Sequence, residues 1–93
     1  MIHRIKCDPI PFQATMDKDK TFEIRRNDRH FQKGDNVIME EFDRKENKYT
    51  GRQVQFEIGF VTNYAQTIDY VVFSCLNIEP RNTDNKTDDE LPF

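Results

Sequence analysis

Residues 20–35 read KTFEIRRNDRHFQKGD. At the start of this stretch, apolar Phe22 and Ile24 alternate with polar residues, which is the period of two that a half-buried β-strand requires. Glu23 and Arg25 share the other face of that strand. The second half of the stretch, NDRHFQKGD, has the Asn, Asp and Gly residues that are typical of a turn, with the glycine as its most flexible position. The sequence therefore predicts a strand with one apolar and one polar face, followed by a tight connection.

The same alternation predicts further short strands on both sides of this stretch. Strands are predicted over residues 2–7, 36–42, 53–64 and 68–79. One short helix is predicted over residues 11–17, with a proline at its first position. Five or six strands and one helix in a chain of this length indicate the α+β class and a strongly bent sheet or small β-barrel.

Apolar residues recur along two of the predicted strands. Ile2 and Ile5 anchor the first strand, and four apolar residues alternate with polar ones in the longest strand: Val54, Phe56, Ile58 and Phe60. The residues before that strand, 43–52, form a polar loop in which Gly51 is expected to take a positive φ.

Length and composition limit the chain to one small domain. It has 93 residues, 35% of them hydrophobic, and its eight phenylalanines supply most of the packing surface. The longest apolar run is the four residues from Tyr70 to Phe73, which predicts neither a signal peptide nor a membrane-spanning segment. We therefore expect a cytoplasmic protein.

The cysteines and histidines do not follow the spacing of a metal site. Cys7 and Cys75 lie far apart in strand-like runs, so we expect two reduced thiols, with a disulfide as the alternative. His3 and His30 each lack a cysteine or acidic partner at ligand spacing. The sequence predicts no metal ion and no cofactor.

The charges are unevenly distributed. The net charge is −3, but residues 1–79 carry 12 basic against 13 acidic residues and are close to neutral. Within them, residues 18–33 hold six Lys or Arg against three acids. One basic face on an otherwise acidic protein is therefore expected.

Three stretches of the sequence resemble one family. They are KTFEIRRNDRHFQKGD, EEFDRKENKYTGR and DYVVFSCLNI, at residues 20–35, 40–52 and 69–78. They are similar to the small phage and bacterial domains of the DUF3850 family, which resembles the ASCH domains of the PUA superfamily. The similarity extends over roughly residues 2–79.

This resemblance implies a phage or prophage protein of the bacterial host cell, with a PUA-like (ASCH-like) β-barrel. It also implies a short helix that leads into a Lys-x-x-Glu-x-Arg motif, and a role in binding RNA or a nucleotide. The glycine that usually precedes the motif is replaced here by about Lys18. The turn before the motif is therefore the point at which this sequence departs from the family.

The chemistry of the motif also indicates a nucleic-acid surface. Lys20 is a point charge for phosphate, and Arg25 is a planar fork for phosphate or a base edge. Glu23 can orient Arg25 or accept from an exocyclic amine. Phosphate donors, an amide and a stacking ring follow: Arg26, Asn27, Arg29 and Phe31. The structural alternative is that Glu23 and Arg25 form an ion pair, Asp28 caps a turn and Phe31 belongs to the core.

A hydrolase is the alternative from another functional class. Some proteins of the ASCH type are amidohydrolases that act on acylated cytidine with a lysine, a threonine three positions later and a distant glutamate. Here Lys20 matches the lysine, but Glu23 occupies the position of the threonine. An enzyme would have to use Lys20 with Thr21 or Glu23, so we expect binding rather than catalysis.

The last six residues, DDELPF, resemble the C-terminal tip of bacterial single-stranded DNA-binding proteins. They follow a stretch from residue 80 that contains no apolar side chain before Leu91, which predicts a disordered tail over residues 80–93 and a folded domain over 1–79. The candidate partner-binding residues are Asp88, Asp89, Glu90, Leu91, Pro92 and Phe93. An aromatic ring with a carboxylate suits an apolar pocket beside an arginine, and the acids suit a basic rim.

Together these features predict an accessory protein that binds RNA or another single-stranded nucleic acid. Its tail is expected to dock on host replication or repair proteins that read the tip of the single-stranded DNA-binding protein. The tail could instead compete with nucleic acid for the basic face, or fold back onto the body. A third function remains open, in which the domain is an adaptor that contacts only protein.

Overall fold

The computed structural model describes residues 1–81, and the predicted partner-binding residues 88–93 lie outside the described residues. The elements, in chain order, are β1 (Ile2–Cys7), α1 (Pro9–Met16), β2 (Phe22–Arg26), β3 (Asn36–Asp43), β4 (Lys48–Thr62) and β5 (Tyr70–Arg81). The predicted α+β class with few strands and one short helix is confirmed. β4 begins inside the predicted loop over 43–52, and β5 extends two residues beyond the predicted domain boundary at 79.

The five strands form one curled half-barrel sheet in the order β1-β3-β4-β5-β2. β1 runs parallel to β3, whereas β3, β4, β5 and β2 pair antiparallel with their neighbours. The two edges of the sheet are therefore the first two strands of the chain. α1 connects these edge strands and packs against β3 and β5.

The core lies between the inner face of the sheet and α1. Phe12 of the helix is fully buried and belongs to the same cluster as side chains from β1, β3, β4 and β5. Phe31 joins this cluster from the connection between β2 and β3, where its ring packs 5.0 Å from that of Phe73. Aromatic rings thus supply much of the packing, as the composition predicts.

His3 fastens the β2–β3 connection to β1. Its ring is buried, packs edge-on against Phe31 and places Nε2 2.8 Å from Asp35 Oδ2. This hydrogen bond from His3 lowers the pKa of Asp35, and a backbone hydrogen bond from Gln32 contributes in the same direction. The Asp35 carboxylate therefore holds the start of β3 against the start of β1.

The helix ends where Lys18 takes a left-handed conformation, with φ of 62°. Asp17 is the C-cap, Lys18 N–H donates to the Thr15 carbonyl, and Asp19 N–H donates to the Ala14 carbonyl. Glycine is favoured at the position after a helix C-cap because it has no Cβ to clash there. Lys18, at which the resemblance implies a glycine, therefore has the backbone conformation that suits glycine.

The faces of β2 are the reverse of what the alternation predicts. Glu23 is only 3% exposed, whereas Phe22 and Ile24 on the other face are 45% and 51% exposed. Arg25 is half-buried on the same inner face as Glu23. The polar face points inward because its charges are paired with one another, which removes most of the penalty for their burial.

Two other orientations predicted from alternation are wrong. Ile2 points outward and the inner face of β1 is formed by His3, Ile5 and Cys7. In β4, a register shift between Ile58 and Val61 turns Phe60 outward, where it is 69% exposed. A β-bulge inserts an extra residue and so exchanges the two faces of a strand beyond it.

Candidate nucleic-acid interface

The two edge strands of the sheet approach each other, but side chains rather than a strand ladder join them. Arg25 Nη2 donates to the Lys6 carbonyl at 3.2 Å, and Arg29 Nη1 donates to the Arg4 carbonyl. No backbone pairing between β1 and β2 occurs among residues 1–81. We call this gap between β1 and β2, bridged by the two arginines, the seam.

A buried carboxylate organises the cations on the β2 side of the seam. Glu23 Oε2 accepts from Lys20 Nζ at 2.6 Å, and Glu23 Oε1 accepts from Arg25 Nε at 2.9 Å. Lys20 Nζ also donates to the Phe22 carbonyl at 2.7 Å. One carboxylate thus orients two cations, and the cluster keeps a net charge of +1.

A groove of about 460 Å³ follows the seam. We call it the seam groove, and its lining contains five cations against two carboxylates. The cations are Lys6, Lys20, Arg25, Arg26 and Arg44, and the carboxylates are Asp8 and Glu23. Of the six basic residues in the predicted basic stretch 18–33, three line the groove, Lys20, Arg25 and Arg26, and Lys6 and Arg44 join them from other elements.

Each of three aromatic rings in the seam groove has a cationic side chain next to its face. Lys6 Nζ lies 4.2 Å from the centroid of Phe42, Lys20 Nζ lies 4.9 Å from that of Phe22, and the Arg26 guanidinium lies 5.9 Å from that of Tyr70. All six side chains line the groove. Such pairs hold a positive charge next to a flat apolar surface, which is the combination that single-stranded nucleic-acid sites use.

The comparisons with known sequences give the family. The profile of a family described as a domain of unknown function, DUF3850, matches residues 2–75. The chain belongs to the DUF3850 family. It is also similar to the "Uncharacterized 12.9 kDa protein in GpA 3'region" of Escherichia phage P2, with 32% identity over 72 residues. That match covers 76% of this chain and 64% of the phage protein, and it agrees with the predicted phage origin.

The structure of this DUF3850 domain brings four of the predicted nucleic-acid residues together in the seam groove: Lys20, Glu23, Arg25 and Arg26. Asn27 accepts from the Phe31 N–H through Oδ1 at 2.9 Å and so shapes the connection between β2 and β3. Arg29 bridges the seam on the side of Arg4. Glu23 uses both oxygens on its two cations, so its role here is to orient them.

Phe31 is not a stacking surface. It is 4% exposed and packs between His3 and Phe73, so the structural alternative is correct for this residue. The ion pair between Glu23 and Arg25, a second of the three parts of that alternative, is also present. The rings that line the seam groove are others: Phe22, Phe42 and Tyr70.

Those other rings, with Lys6 and Arg44, were missed by the sequence reasoning. Phe42 and Arg44 belong to the β3–β4 hairpin, and Tyr70 begins β5. They meet the motif only because the sheet order brings distant segments to one gap. The available signal was the stretch EEFDRKENKYTGR, which combines aromatic and basic residues and belongs to the family pattern.

The residues proposed for a hydrolase are only partly assembled. Lys20 and Glu23 are in contact in the seam groove, but Thr21 lines a separate depression with Lys18 and Leu76. The Thr21 backbone carbonyl accepts from the Cys75 N–H at 3.0 Å. The three side chains of the hypothetical catalytic set therefore do not share one site.

The two cysteines of the DUF3850 domain are buried thiols. Cys7 and Cys75 are unbridged and buried, and burial raises the pKa of Cys7 to about 11 and that of Cys75 to about 12. Both thiols are therefore protonated at neutral pH. Among residues 1–81, no three His, Cys, Asp or Glu side chains are arranged to hold a metal ion, and no helix is long and apolar enough to span a membrane.

Proposed function

We propose that this DUF3850 domain binds single-stranded nucleic acid in the seam groove. The observation that carries the proposal is the set of three cation–aromatic pairs in one groove, Lys6 with Phe42, Lys20 with Phe22 and Arg26 with Tyr70. Rings provide stacking surfaces for bases, and the adjacent cations attract phosphates.

The buried carboxylate supports this function instead of opposing it. An acidic residue next to a phosphate site would repel the ligand if it were free. Glu23 is shielded on both oxygens by Lys20 and Arg25, and the groove keeps an excess of positive charge. The carboxylate also holds two flexible cations in place before binding, so their side chains lose less conformational entropy when a ligand binds.

The test is fluorescence anisotropy of labelled oligouridylate and oligodeoxythymidylate with the full chain, over a range of salt concentrations. Arg26→Gln removes an exposed groove cation that does not bridge the seam. We expect weaker binding and a logarithmic salt slope that is smaller by about one. Lys33→Gln is the matched control, because Lys33 is exposed and does not line the groove. Equal losses in both variants would attribute binding to net charge alone and would contradict the proposal.

The two alternatives predict different results in the same assay. A hydrolase acting on an acylated nucleoside predicts turnover that Lys20→Ala abolishes, but Thr21 lies outside the groove that holds Lys20 and Glu23. A protein-only adaptor predicts no affinity for either oligonucleotide. Binding without turnover therefore separates the proposed function from both.

We also propose that residues 88–93, which lie outside the described residues, dock on bacterial proteins that bind the tip of single-stranded DNA-binding proteins. The support is the order of the side chains, with Asp88, Asp89 and Glu90 before Leu91, Pro92 and Phe93. The test is binding of a DDELPF peptide to such proteins, with a Phe93→Ala peptide as control. Equal affinity of the two peptides would contradict docking through the ring.

A further inference from the structure

We infer that Phe42, Lys6 and Arg44 form a second nucleotide subsite, so that the seam groove takes at least two consecutive nucleotides of a single strand. This inference rests on the proposed function. The subsite is built by β1 and the β3–β4 hairpin, whereas the motif residues lie on the opposite side of the seam.

Phe42 is directed into the groove by a break in strand pairing. The register of β3 against β4 shifts between Glu40 and Phe42. Glu41 points inward, where Arg52 Nε and Thr50 Oγ1 donate to Oε1 at 2.9 and 2.6 Å. Bulges often redirect a side chain toward a functional site. Here the shift separates the buried Glu41 carboxylate, which is paired with the exposed Arg52, from an aromatic ring that lines the groove.

One face of the Phe42 ring is covered by the Lys6 side chain, which a ligand can displace. Lys6 Nζ lies 4.2 Å from the ring centroid, and Lys6 is an exposed side chain. The Tyr49 ring packs edge-on against Phe42 with centroids 5.0 Å apart and holds the ring in place. A base can stack on the face that the ammonium now covers, because the flexible lysine can swing to the attached phosphate.

Arg44 supplies the second phosphate contact of this subsite. Its Nε lies 2.7 Å from Asp8 Oδ1, and this is the contact that the structure shows for it within residues 1–81. The two Nη groups are left to donate to a phosphate. Asp8 thereby contacts Arg44 at the rim of the groove in an exposed ion pair, whereas the pair of Glu23 with Arg25 on the other side is mostly buried.

Each side of the seam therefore has its own aromatic surface and its own cations. On the β2–β5 side these are Phe22 and Tyr70 with Lys20 and Arg26, and on the β1–β3 side they are Phe42 with Lys6 and Arg44. The groove volume of about 460 Å³ falls within the range of roughly 300–1,000 Å³ that ligand sites occupy. One base can stack on one side only, so a ligand that uses both sides has two or more nucleotides.

The experiment is competition against a labelled oligouridylate bound to the full chain, with unlabelled uridine monophosphate, diuridylate and triuridylate as competitors. An oligodeoxythymidylate series distinguishes RNA from DNA. The test variant is Phe42→Leu, which keeps an apolar side chain beside Tyr49. Phe42→Tyr keeps the ring, and Phe60→Leu is the matched control because Phe60 is exposed and does not line the groove.

We expect the wild-type chain to prefer the dinucleotide clearly over the mononucleotide. Phe42→Leu should weaken oligonucleotide binding about 5- to 100-fold and abolish that preference, as expected for loss of one stacked base. Phe42→Tyr and Phe60→Leu should bind like the wild type. If Phe42→Leu does not fold, Arg44→Gln provides the test, with a salt slope smaller by about one relative to Lys33→Gln.

The outcomes distinguish this inference from the proposed function. Oligonucleotide binding that is unchanged in Phe42→Leu or Arg44→Gln, or lost equally in Phe42→Tyr, would overturn the second subsite and leave the first in place. A wild-type chain that binds no oligonucleotide would overturn the proposed function and this inference with it.

Discussion

Single residues decide where the chain turns toward the seam groove, and Lys18 is the clearest case. Its backbone takes φ of 62° directly after the helix C-cap, and the hydrogen bonds of Lys18 and Asp19 to the last turn hold it there. A left-handed conformation costs a residue with a Cβ about 1–2 kcal/mol. The position of Lys20 at the groove therefore depends on a turn that is strained by its side chain.

Lys18→Gly should stabilise the domain. Removing the Cβ relieves the strain, and the greater backbone entropy of glycine in the unfolded state offsets part of the gain, so we expect about 0.5–1 kcal/mol. Urea unfolding followed by circular dichroism measures this difference. Asp19→Gly, one residue later and without a positive φ, is the control and should destabilise. A Lys18→Gly variant that is less stable than the wild type would show that the turn is not strained.

The strands could be predicted from the sequence more readily than their orientation. The period of two located all five strands and grouped Glu23 with Arg25 on one face of β2. Periodicity shows which residues share a face, but it does not show which face points inward. Phe22 and Ile24 suggested the buried face, and the structure buries Glu23 instead because Lys20 and Arg25 neutralise it. Pairing of this kind depends on side-chain geometry that a hydrophobic pattern does not record.

Only one side of the candidate site could be predicted from the sequence. The motif residues of the β2 side were found because they are adjacent in sequence, whereas Phe42, Arg44 and Tyr70 come from elements far along the chain. Their convergence follows from the strand order, in which the first two strands become the opposite edges of one sheet. Phe31 was misassigned because a ring in a polar loop has the same sequence signal whether it is exposed or packed.

The same strand β3 that carries Phe42 is held by an ion pair between the buried Glu41 and the exposed Arg52, and this predicts a pH dependence. Hydrogen bonds from Arg52 and Thr50 lower the pKa of Glu41 below its ordinary value. A carboxyl group whose pKa is lower in the folded state stabilises the fold above its unfolded pKa. That contribution is lost as the pH falls through the folded pKa.

Glu41→Gln should therefore cost about 1.5–3 kcal/mol of unfolding free energy at neutral pH, because Arg52 and Thr50 lose a charged acceptor. The difference from the wild type should shrink on acidification to about pH 3, well below the ordinary glutamate pKa of about 4.3. Urea unfolding at both pH values measures this. Glu46→Gln, at an exposed position, is the control. A difference that does not change with pH would contradict the charge-based explanation.

At the scale of the whole molecule, an acidic chain presents a basic groove. The seam groove gathers five cations against two carboxylates while the net charge is −3. The acids near the C-terminus, Asp88, Asp89 and Glu90, lie outside the described residues but belong to the same chain. Acidic side chains on the same molecule compete with an anionic ligand for the basic groove, and salt screens that competition.

Replacing these three acids together, as Asp88→Asn, Asp89→Asn and Glu90→Gln, should strengthen oligonucleotide binding several-fold at low salt and less at physiological salt. Anisotropy with the full chain measures the effect. The matched control changes the same net charge at exposed positions elsewhere, as Asp19→Asn, Glu46→Gln and Glu79→Gln. Equal strengthening in both triple variants would mean that net charge, and not the tail, opposes binding.

The arginine bridges across the seam also bear on how copies of this chain meet each other. An edge strand with free carbonyls is a template on which a strand from another molecule can add. On β1, the carbonyls of Arg4 and Lys6 already accept from the guanidinium groups of Arg29 and Arg25. The bridges therefore disfavour edge-to-edge aggregation of the half-barrel. A ligand that drew either arginine away would expose an unpaired β1 carbonyl to which a strand of another molecule could bind.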